Sequence, residues 1–339
     1  MNDFVEILKK WNKTGAPIAL ARVIKTWGSS PRPVGSVMMI NGDGSMVGSV
    51  SGGCVEGAVA KSSKEVLTGN ASKLLSYGIS DEDAWSVGLS CGGSIEVFVQ
   101  PVNFSAGEVW LKLLENTEAN KSSILISSVE KGTGVNALIN ENGDMLGDSI
   151  PEKIMNAAQK AYEERANKIV EHEGTTYFIH IFPRKNLLLI IGAAHITVDL
   201  VALGNKYDFE TVVIDPRGYF AQNTVFTSPP SQLLQSYPSE VLDKFPLDAY
   251  TFCAILSHDP KIDDNALEVL LLSDAGYIGA LGSRKTHAKR VARLRERGVP
   301  EALIDRIHAP IGMPIYAKSA KEIALSVMGE IIQAKNQFL

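Results

Sequence analysis

Residues 187–197 read LLLIIGAAHIT, five consecutive apolar residues followed by a glycine turn and the start of a helical pattern. A strand without polar alternation is typical of a sheet that is covered on both faces. The alternation continues with strands near residues 211–214, 250–256 and 277–281 and helices near residues 195–205, 263–273 and 285–297. We therefore predict that residues 187–339 form a doubly wound α/β domain, a Rossmann-like parallel sheet.

The preceding part of the chain has a different pattern and is rich in glycine. Eight glycines fall within residues 28–57, and residues 41–44, Asn-Gly-Asp-Gly, separate two short apolar segments as in a β-hairpin. A helix is predicted to begin near Cys54, and no internal repeat is apparent. The polar break at residues 183–186, Pro-Arg-Lys-Asn, precedes the first parallel strand. We expect a separate, mixed α+β domain over residues 1–183.

Composition limits the classes of function. The chain has 339 residues, 45% of them hydrophobic, which is enough for two packed domains. A formal charge of −5 argues against a nucleic-acid-binding face. Residues 1–10 lack the features of a secretion signal, and no apolar run approaches the length of a membrane span. Three cysteines without disulfide-type spacing indicate a reducing, cytoplasmic location.

The turn after the first parallel strand is an incomplete dinucleotide-binding fingerprint. Gly192 occupies the tight-turn position of G-x-G-x-x-G, and His195 begins the helix whose amino end favours phosphate. Ala194 replaces the second glycine and places a methyl group where a pyrophosphate approaches. Asp215, 23 residues after Gly192, ends the next strand, where an acid binds a ribose hydroxyl; Arg217 leaves the choice between NAD and NADP open. Nucleotide binding and a fold that has lost it both fit this pattern.

Two further strand ends carry polar residues that would border the same crevice. Gly282, Ser283 and Arg284 open a helix whose start can hold an anion. His258 and Asp259 end another strand; a histidine there is more often a polar loop residue than a ligand or base, although the crevice favours a functional role. Basic residues follow at helical spacing, and we interpret them as a solvated helix face: Lys285, Lys289, Arg293 and Arg297.

A third candidate site lies in the glycine-rich domain. Cys54 and Glu56 belong to Ser-Gly-Gly-Cys-Val-Glu, residues 51–56, and a thiol at a helix start should have its thiolate stabilised by the dipole. Cys91 also lies beside glycines. Such thiols can react or bind a soft metal, although most free cysteines are small buried residues. Cys253 lies inside an apolar strand, and we assign it to the core.

Several of these motifs resemble one known family. In the N-terminal domain, residues 30–35, SPRPVG, and 52–59, GGCVEGAV, resemble the XdhC/CoxI family of xanthine dehydrogenase accessory factors. In the C-terminal domain, residues 282–285, GSRK, and 308–312, HAPIG, resemble the Rossmann-like domain of that family. The resemblance covers most of the chain. Ala194 departs from it, because the family usually has G-A-G-H at this turn.

The resemblance implies a protein that binds molybdenum cofactor (molybdopterin), protects it while a sulfur is added at the metal, and helps insert it into xanthine dehydrogenase or a related molybdenum hydroxylase. It also implies a cysteine desulfurase as a partner and leaves a homodimer open. By the same resemblance, Cys54 is expected to touch the cofactor, its metal or its sulfur. An NAD(P)-dependent oxidoreductase, or a subunit named after xanthine dehydrogenase, is the alternative, and a purely structural partner of the dehydrogenase is a third. A maturation factor is favoured over a stand-alone enzyme.

Overall fold

The computed structural model describes the following residues: 5–30, 32–78, 93–104, 108–132, 134–218 and 226–337. The chain divides into two compact units, Met1–Arg184 and Lys185–Leu339. None of the described helices is long and apolar enough to cross a membrane. Within the described ranges, the first unit contains two antiparallel sheets and the second contains one parallel sheet. The predicted fold class, a Rossmann-like parallel sheet preceded by a mixed α+β region, is confirmed.

The first sheet of the first unit carries two helices. Its elements are α1 (Val5–Lys13), β1 (Ile18–Trp27), β2 (Val37–Asn41), β3 (Met46–Gly48), α2 (Glu56–Gly69), β4 (Lys73–Tyr77) and β5 (Ser94–Val102). The strand order is β3-β2-β1-β5-β4, and every neighbouring pair is antiparallel. The predicted hairpin between β2 and β3 is confirmed, and the side chain of Asn41 closes its turn by accepting the Ser45 amide at 3.0 Å.

The second sheet has a matching set of elements. They are α3 (Glu108–Glu118), β6 (Ser123–Ser128), β7 (Asn136–Asn140), β8 (Met145–Gly147), α4 (Glu152–Glu163), β9 (Lys168–His172) and β10 (Thr175–Phe182). The strand order is β8-β7-β6-β10-β9, again antiparallel throughout. Each sheet is thus made by a helix, a three-stranded meander, a second helix and a closing strand pair.

These two sheets are copies of one topology. Residues 40–48, INGDGSMVG, correspond to residues 139–147, INENGDMLG, at the same hairpin. The last glycine of each segment has a positive φ, 86° for Gly48 and 102° for Gly147, and an added Cβ would lie 2.2 or 2.4 Å from a carbonyl oxygen of the neighbouring strand. The expectation that the chain lacks an internal repeat is therefore wrong. The similarity is confined to the turn, where backbone conformation restricts the residue types, and it is lost in the strands.

The second unit is a doubly wound sheet. Its elements are β11 (Asn186–Ile191), α5 (His195–Lys206), β12 (Phe209–Ile214), β13 (Gln232–Leu234), β14 (Thr251–Ile255), α6 (Pro260–Leu270), β15 (Tyr277–Ala280), α7 (Arg284–Glu296), α8 (Glu301–Ile304), β16 (Ile307–His308) and α9 (Ala320–Gln337). The strand order is β13-β12-β11-β14-β15-β16, with all pairs parallel.

Strand β11 lies at the centre of this sheet and explains its unbroken apolar sequence. Leu187, Leu189 and Ile191 pack into an apolar cluster on one face, and Leu188 and Ile190 pack into a second cluster on the other face. The chain reverses its direction of winding between β11 and β14. Ligands of doubly wound sheets bind at the carboxyl ends of strands around such a point, so this edge carries the candidate residues of the second unit.

Candidate functional site

A loop wrapped around one carboxylate joins β3 to α2. The Glu56 carboxylate accepts hydrogen bonds from the amides of residues 50–53, at 2.9 to 3.2 Å, and from the hydroxyls of Ser49, at 2.7 Å, and Ser51. Burial would raise the pKa of Glu56, but the hydrogen bonds from Ser51 and Ser49 outweigh it and lower the pKa to about 2. The carboxylate is therefore charged at neutral pH, and it already occupies the loop amides that could otherwise bind an anion.

The internal repeat shows what is unusual about this loop. In the second copy, residues 148–151 lead from the hairpin into α4, whereas in the first copy residues 49–55 lead into α2. Both loops begin alike, because the amides of Ser49 and Asp148 each donate to the carbonyl of the paired strand at 3.0 Å. The first copy then includes extra residues with the sequence Gly-Gly-Cys. The topology does not require them, which favours a functional role for this loop.

Cys54 lies outside the helix rather than at its first turn. The helix α2 begins at Glu56, with Val55 as its N-cap, so the helix start predicted near Cys54 is two residues too early. The reason is local: the Ser51 hydroxyl accepts the Val55 amide at 3.0 Å, and this bond together with the Glu56 carboxylate extends the loop before the helix begins. Cys54 is half-buried, forms no disulfide and packs beside the apolar cluster between α2 and the first sheet.

The predictions for the other two cysteines, Cys253 and Cys91, differ in whether the structure tests them. Cys253 is confirmed as a core residue: it lies fully buried in β14, and burial raises the pKa of its thiol to about 12. Cys91 lies outside the described residues. Among the described residues, no three His, Cys, Asp or Glu side chains come together as a metal site.

A cavity of about 610 Å³ opens beside the Glu56 loop in the first unit. Its walls come from both copies of the repeat: Arg32, Gly35, Ser36, Val37, Gly48 and Ser49 from the first, and His180, Ile181, Phe182 and Pro183 from the second. Cavities of this size are typical of small-molecule sites. Arg32 is exposed and Ser49 joins the cavity to the Glu56 loop. Cys54 is not among the lining residues.

Two buried basic side chains, Arg22 and His180, lie close to this cavity. Arg22 is fully buried between the rings of Phe98 and Phe178, and its Nη2 donates to Gln100 at 2.6 Å. Its Nε and Nη1 have no hydrogen-bond partner among the described residues. Burial lowers the pKa of Arg22 to about 9. A buried guanidinium without a carboxylate is rare, because unsatisfied charged donors are costly.

His180 connects this buried layer to the cavity. Burial first, and the nearby Arg22 second, hold its pKa well below the ordinary value, so the ring is neutral. The ring bonds to the backbone of Gly35, and its Nδ1 has no partner among the described residues. A neutral imidazole that donates through one nitrogen accepts through the other. An unused acceptor thus lies buried behind the cavity wall, near the Arg22 guanidinium.

In the second unit, the Gly192 turn is fixed by packing within the protein. Gly192 has a φ of 103°, and an added Cβ would lie 2.6 Å from the backbone of Ser257. The buried Thr197 donates its hydroxyl to the Gly192 carbonyl at 2.6 Å. Ala194 is the N-cap of α5, and His195 is exposed at its first position. The glycine is thus needed for the contact between two neighbouring strand ends, whether or not a ligand binds.

The Asp215 carboxylate is already engaged by four hydrogen bonds within the protein. One carboxylate oxygen accepts the Arg217 amide and Nε, both at 2.9 Å, and the other accepts the Ala193 amide and Arg217 Nη2, both at 2.8 Å. These four internal bonds compete with a ribose hydroxyl for the Asp215 oxygens. Arg217 also reaches the Ser257 carbonyl at 3.5 Å. The geometry therefore favours Asp215 as the residue that positions Arg217.

The remaining predicted residues gather at the carboxyl ends of β14 and β15, which pair in parallel. Asp259 caps α6 by accepting the Lys261 amide at 2.9 Å, and the preceding His258 is exposed with a φ of 59°. This cap starts α6 at Pro260, three residues before the predicted helix. Ser283 caps α7 by accepting the Thr286 amide at 3.2 Å, between Gly282 and the exposed Arg284. Two of these residues, Asp259 and Ser283, act as helix caps, and the crevice predicted to join them to the Gly192 turn stays a prediction.

Comparison with known proteins gives a family-model match in each unit. A model of the XdhC and CoxI family matches residues 11–78, and a model of the XdhC Rossmann domain matches residues 188–331. Each unit therefore contains a segment that matches an XdhC-type domain model. The family match at residues 11–78 contains the Glu56 loop and the whole first-copy wall of the 610 Å³ cavity.

Several known proteins align with nearly the whole of this chain. A protein of Bacillus subtilis named as a probable xanthine dehydrogenase subunit is 25% identical over 339 residues, with 99% of each chain covered. The molybdenum cofactor insertion chaperone PaoD of Escherichia coli is 24% identical, covering 95% of this chain and 85% of PaoD. A crystal structure of a xanthine dehydrogenase from Bacillus halodurans has a TM-score of 0.74 and 27% identity, with 98% and 96% covered. The uncharacterised protein YqeB of Escherichia coli is 27% identical, and this chain spans 47% of it.

One XdhC-type motif has a structural explanation here. In HAPIG, residues 308–312, the Gly312 amide donates to Glu330 of α9, and His308 lies 3.3 Å from the same carboxylate. Tyr277 of β15 donates to Glu330 at 2.9 Å. An added Cβ on Gly312 would lie 2.4 Å from Ser326 Oγ. The motif therefore holds α9 against the parallel sheet through hydrogen bonds to Glu330.

The sequence patterns did not single out the residues of the first-unit cavity or the buried Arg22 near it. A signal was present for Arg22, a charge in the middle of the buried segment 18–24. His180 alternates with Phe178 and Phe182 on one face of β10, where the ring contacts both neighbours at 5.3 and 4.0 Å. A single polar residue in such an aromatic alternation marks a buried face that contains a polar site.

Proposed function

We propose that the protein binds molybdenum cofactor, supports its sulfuration and delivers it to xanthine dehydrogenase or a related molybdenum hydroxylase. Support comes from two relatives that align with nearly the whole chain, one named a molybdenum cofactor insertion chaperone and one named a probable xanthine dehydrogenase subunit. The cofactor is cargo in this proposal, and the chain's residues hold and shield it.

The observation that carries the proposal is the 610 Å³ cavity, whose first-copy wall lies in the family-matched segment. Molybdenum cofactor is an anionic pterin with N–H groups at one edge. Arg32 at the cavity and the buried Arg22 supply positive charge. The unpartnered His180 Nδ1 is buried behind the cavity wall, and it becomes an acceptor for an N–H donor of the cargo when the ring turns towards the cavity. The residues present therefore fit the chemistry of the cargo.

Within this proposal, Cys54 contacts the cofactor's metal or its sulfur. Thiolates are soft ligands that suit molybdenum–sulfur centres. Cys54 lies in the part of the loop that the second copy of the repeat lacks, and the same loop reaches the cavity through Ser49. A cysteine desulfurase would supply the sulfur.

A stand-alone xanthine dehydrogenase is disfavoured by the chain itself. Two [2Fe–2S] clusters need about eight cysteine ligands, and this sequence contains three. A nicotinamide-dependent oxidoreductase is disfavoured by Asp215, whose carboxylate is already engaged by Arg217 and by the Ala193 amide.

Anaerobic loading tests the proposal. The purified protein is mixed with molybdenum cofactor released from a molybdenum enzyme, passed over a desalting column, and analysed for retained molybdenum and pterin. We expect retention by the unmodified chain and by Lys121→Ala, an exposed control, and at least tenfold weaker retention by Arg32→Ala and by His180→Phe. Retention that is absent in the unmodified chain, or equal in all four proteins, would contradict the proposal.

A further inference from the structure

A second cavity, of about 240 Å³, lies in the second unit at the ends of β14 and β15. His258 and Leu281 contribute from the strand ends, and one face of α7 contributes Lys285, Lys289, Arg290 and Arg293. The sequence pattern suggested that the basic residues of α7 are a solvated face. Lys285, Lys289 and Arg297 are exposed, in agreement with that interpretation, and three of the four basic residues also surround a concave site together with Arg290.

Arg290 is the buried centre of this cavity. It is 1% exposed, and its Nη2 donates to Asp263 Oδ2 at 3.1 Å and to the Leu281 carbonyl at 2.9 Å. Asp263 is fixed in turn by the Ser257 hydroxyl at 2.5 Å. The Nε and Nη1 of Arg290 have no hydrogen-bond partner among the described residues. A guanidinium held on one side by a carboxylate and unsatisfied on the other is suited to receive an oxyanion.

The charges around the cavity do not cancel. Lys285, Lys289, Arg290 and Arg293 carry four positive charges, and Asp263 and Asp264 carry two negative charges in their pairs with Arg290 and Arg293. Four minus two leaves an excess of two positive charges. Lys285 and Lys289 are exposed, one helical turn apart, and form no ion pair among the described residues. A phosphate monoester carries about −1.5 to −2 at neutral pH, which matches this excess.

The position of the cavity beside the start of α7 also favours an anion. The cavity lies along the first turns of a helix that runs from Arg284 to Glu296, where the helix dipole favours an anion. Ser283 accepts the Thr286 amide, so the amides of Arg284 and Lys285 are the first-turn donors without an intrahelical acceptor. By contrast, the Ala193 amide at the Gly192 turn already donates to Asp215.

We propose that this cavity binds the phosphate group of a small phosphorylated molecule, with Lys285 and Lys289 as the outer ligands and Arg290 as the inner one. The phosphate site is then at the β15–α7 turn and not at the Gly192 turn of the usual dinucleotide fingerprint. The inference stands apart from the proposed function, since it requires only a phosphate ester and not a molybdenum cofactor.

Titrations with ribose 5-phosphate and with inorganic phosphate, followed by calorimetry and by the ¹⁵N-detected Nε–H signal of Arg290, test the site. We expect ribose 5-phosphate to bind, to shift the Arg290 signal and to bind more weakly as ionic strength rises. Lys285→Ala/Lys289→Ala should weaken binding at least tenfold. The charge-matched control Lys244→Ala/Lys321→Ala, at exposed positions of the same unit, should leave binding unchanged.

The two ligands distinguish the source of the phosphate. Tighter binding of ribose 5-phosphate than of inorganic phosphate supports a phosphorylated small molecule as the ligand. Binding of inorganic phosphate alone would overturn that part of the proposal. Absence of binding by either ligand at millimolar concentration, or equal binding by both double variants, would overturn the site. Failure here leaves the molybdenum loading result unaffected, so the two hypotheses are tested separately.

Discussion

Replacing Glu56 with glutamine removes the charge around which residues 49–53 fold. The carboxylate accepts six hydrogen bonds, four from backbone amides and two from serine hydroxyls. The amide group of Glu56→Gln keeps one acceptor oxygen and places N–H donors against the other donors of the loop. We expect the loop to open and the first unit to lose stability.

The pKa of Glu56 gives the size of the effect. A fall from 4.5 to about 2 corresponds to roughly 3 kcal/mol at neutral pH, and solvent screening of this half-buried group reduces that to about 2 kcal/mol. Since the folded-state pKa lies below the unfolded one, the contribution is complete above pH 4.5 and is lost as the pH falls from 4.5 towards 2. The difference between the unmodified protein and Glu56→Gln should therefore shrink across that window.

Hydrogen exchange and thermal unfolding measure this prediction. We expect faster exchange of the amides of residues 50–53 in Glu56→Gln, and a midpoint of unfolding lowered by about 4–8 °C. Glu65→Gln, on the exposed face of the same helix, is the control: it removes only a surface ion pair with Lys73, so it should leave the exchange of the loop amides unchanged and lower the midpoint less than Glu56→Gln does. Unchanged exchange of the loop amides in Glu56→Gln would refute the assignment of this carboxylate as the loop's anchor.

Three further predictions concern other parts of the molecule. NAD should bind weakly to the unmodified chain. Ala194→Gly should tighten that binding without making it strong, because Arg217 and the Ala193 amide still occupy the Asp215 carboxylate. Tight NAD binding by the unmodified chain in a fluorescence titration would contradict this prediction. Cys54→Ser should impair sulfuration of bound cofactor and leave the unfolding midpoint unchanged. Cys253→Ser should lower the unfolding midpoint, because its thiol is buried in β14. Equal effects of the two substitutions on sulfuration and on the midpoint would point to a structural role for both cysteines. Gly312→Ala should destabilise the protein by about 1–3 kcal/mol in urea unfolding, since its Cβ would meet Ser326 at a positive φ, and a neutral substitution would show that α9 can shift to accept it.

The architecture of the second unit could be predicted from the sequence because each strand and helix is marked by a pattern within its own residues. The run from Leu187 to Ile191 has no polar alternation, and the structure buries it on both faces. The glycine turn after this strand and the helical patterns that follow predict the order of strands and helices. Helix starts were less accurate, because a cap such as Asp259 or a bound carboxylate such as Glu56 moves the boundary by two or three residues.

The first-unit site could not be predicted in the same way. The cavity combines a loop near Arg32 with a strand near His180, and only the pairing of two repeated sheets brings such distant residues together. The repeat itself has a signal in the sequence, residues 40–48 against 139–147, but it is short and lies in a turn. The role of Asp215 also depended on a contact that the spacing does not show, its bidentate pair with Arg217.

The most direct test of the proposed function is a reconstitution assay. Cofactor-free xanthine dehydrogenase is incubated anaerobically with molybdenum cofactor and a sulfur source, with and without this protein, and xanthine oxidation is measured afterwards. We predict that the protein alone has no activity with xanthine and NAD, and that it raises the activity recovered by the dehydrogenase. Xanthine turnover by the isolated protein, or recovery that is the same with and without it, would contradict a role in cofactor delivery.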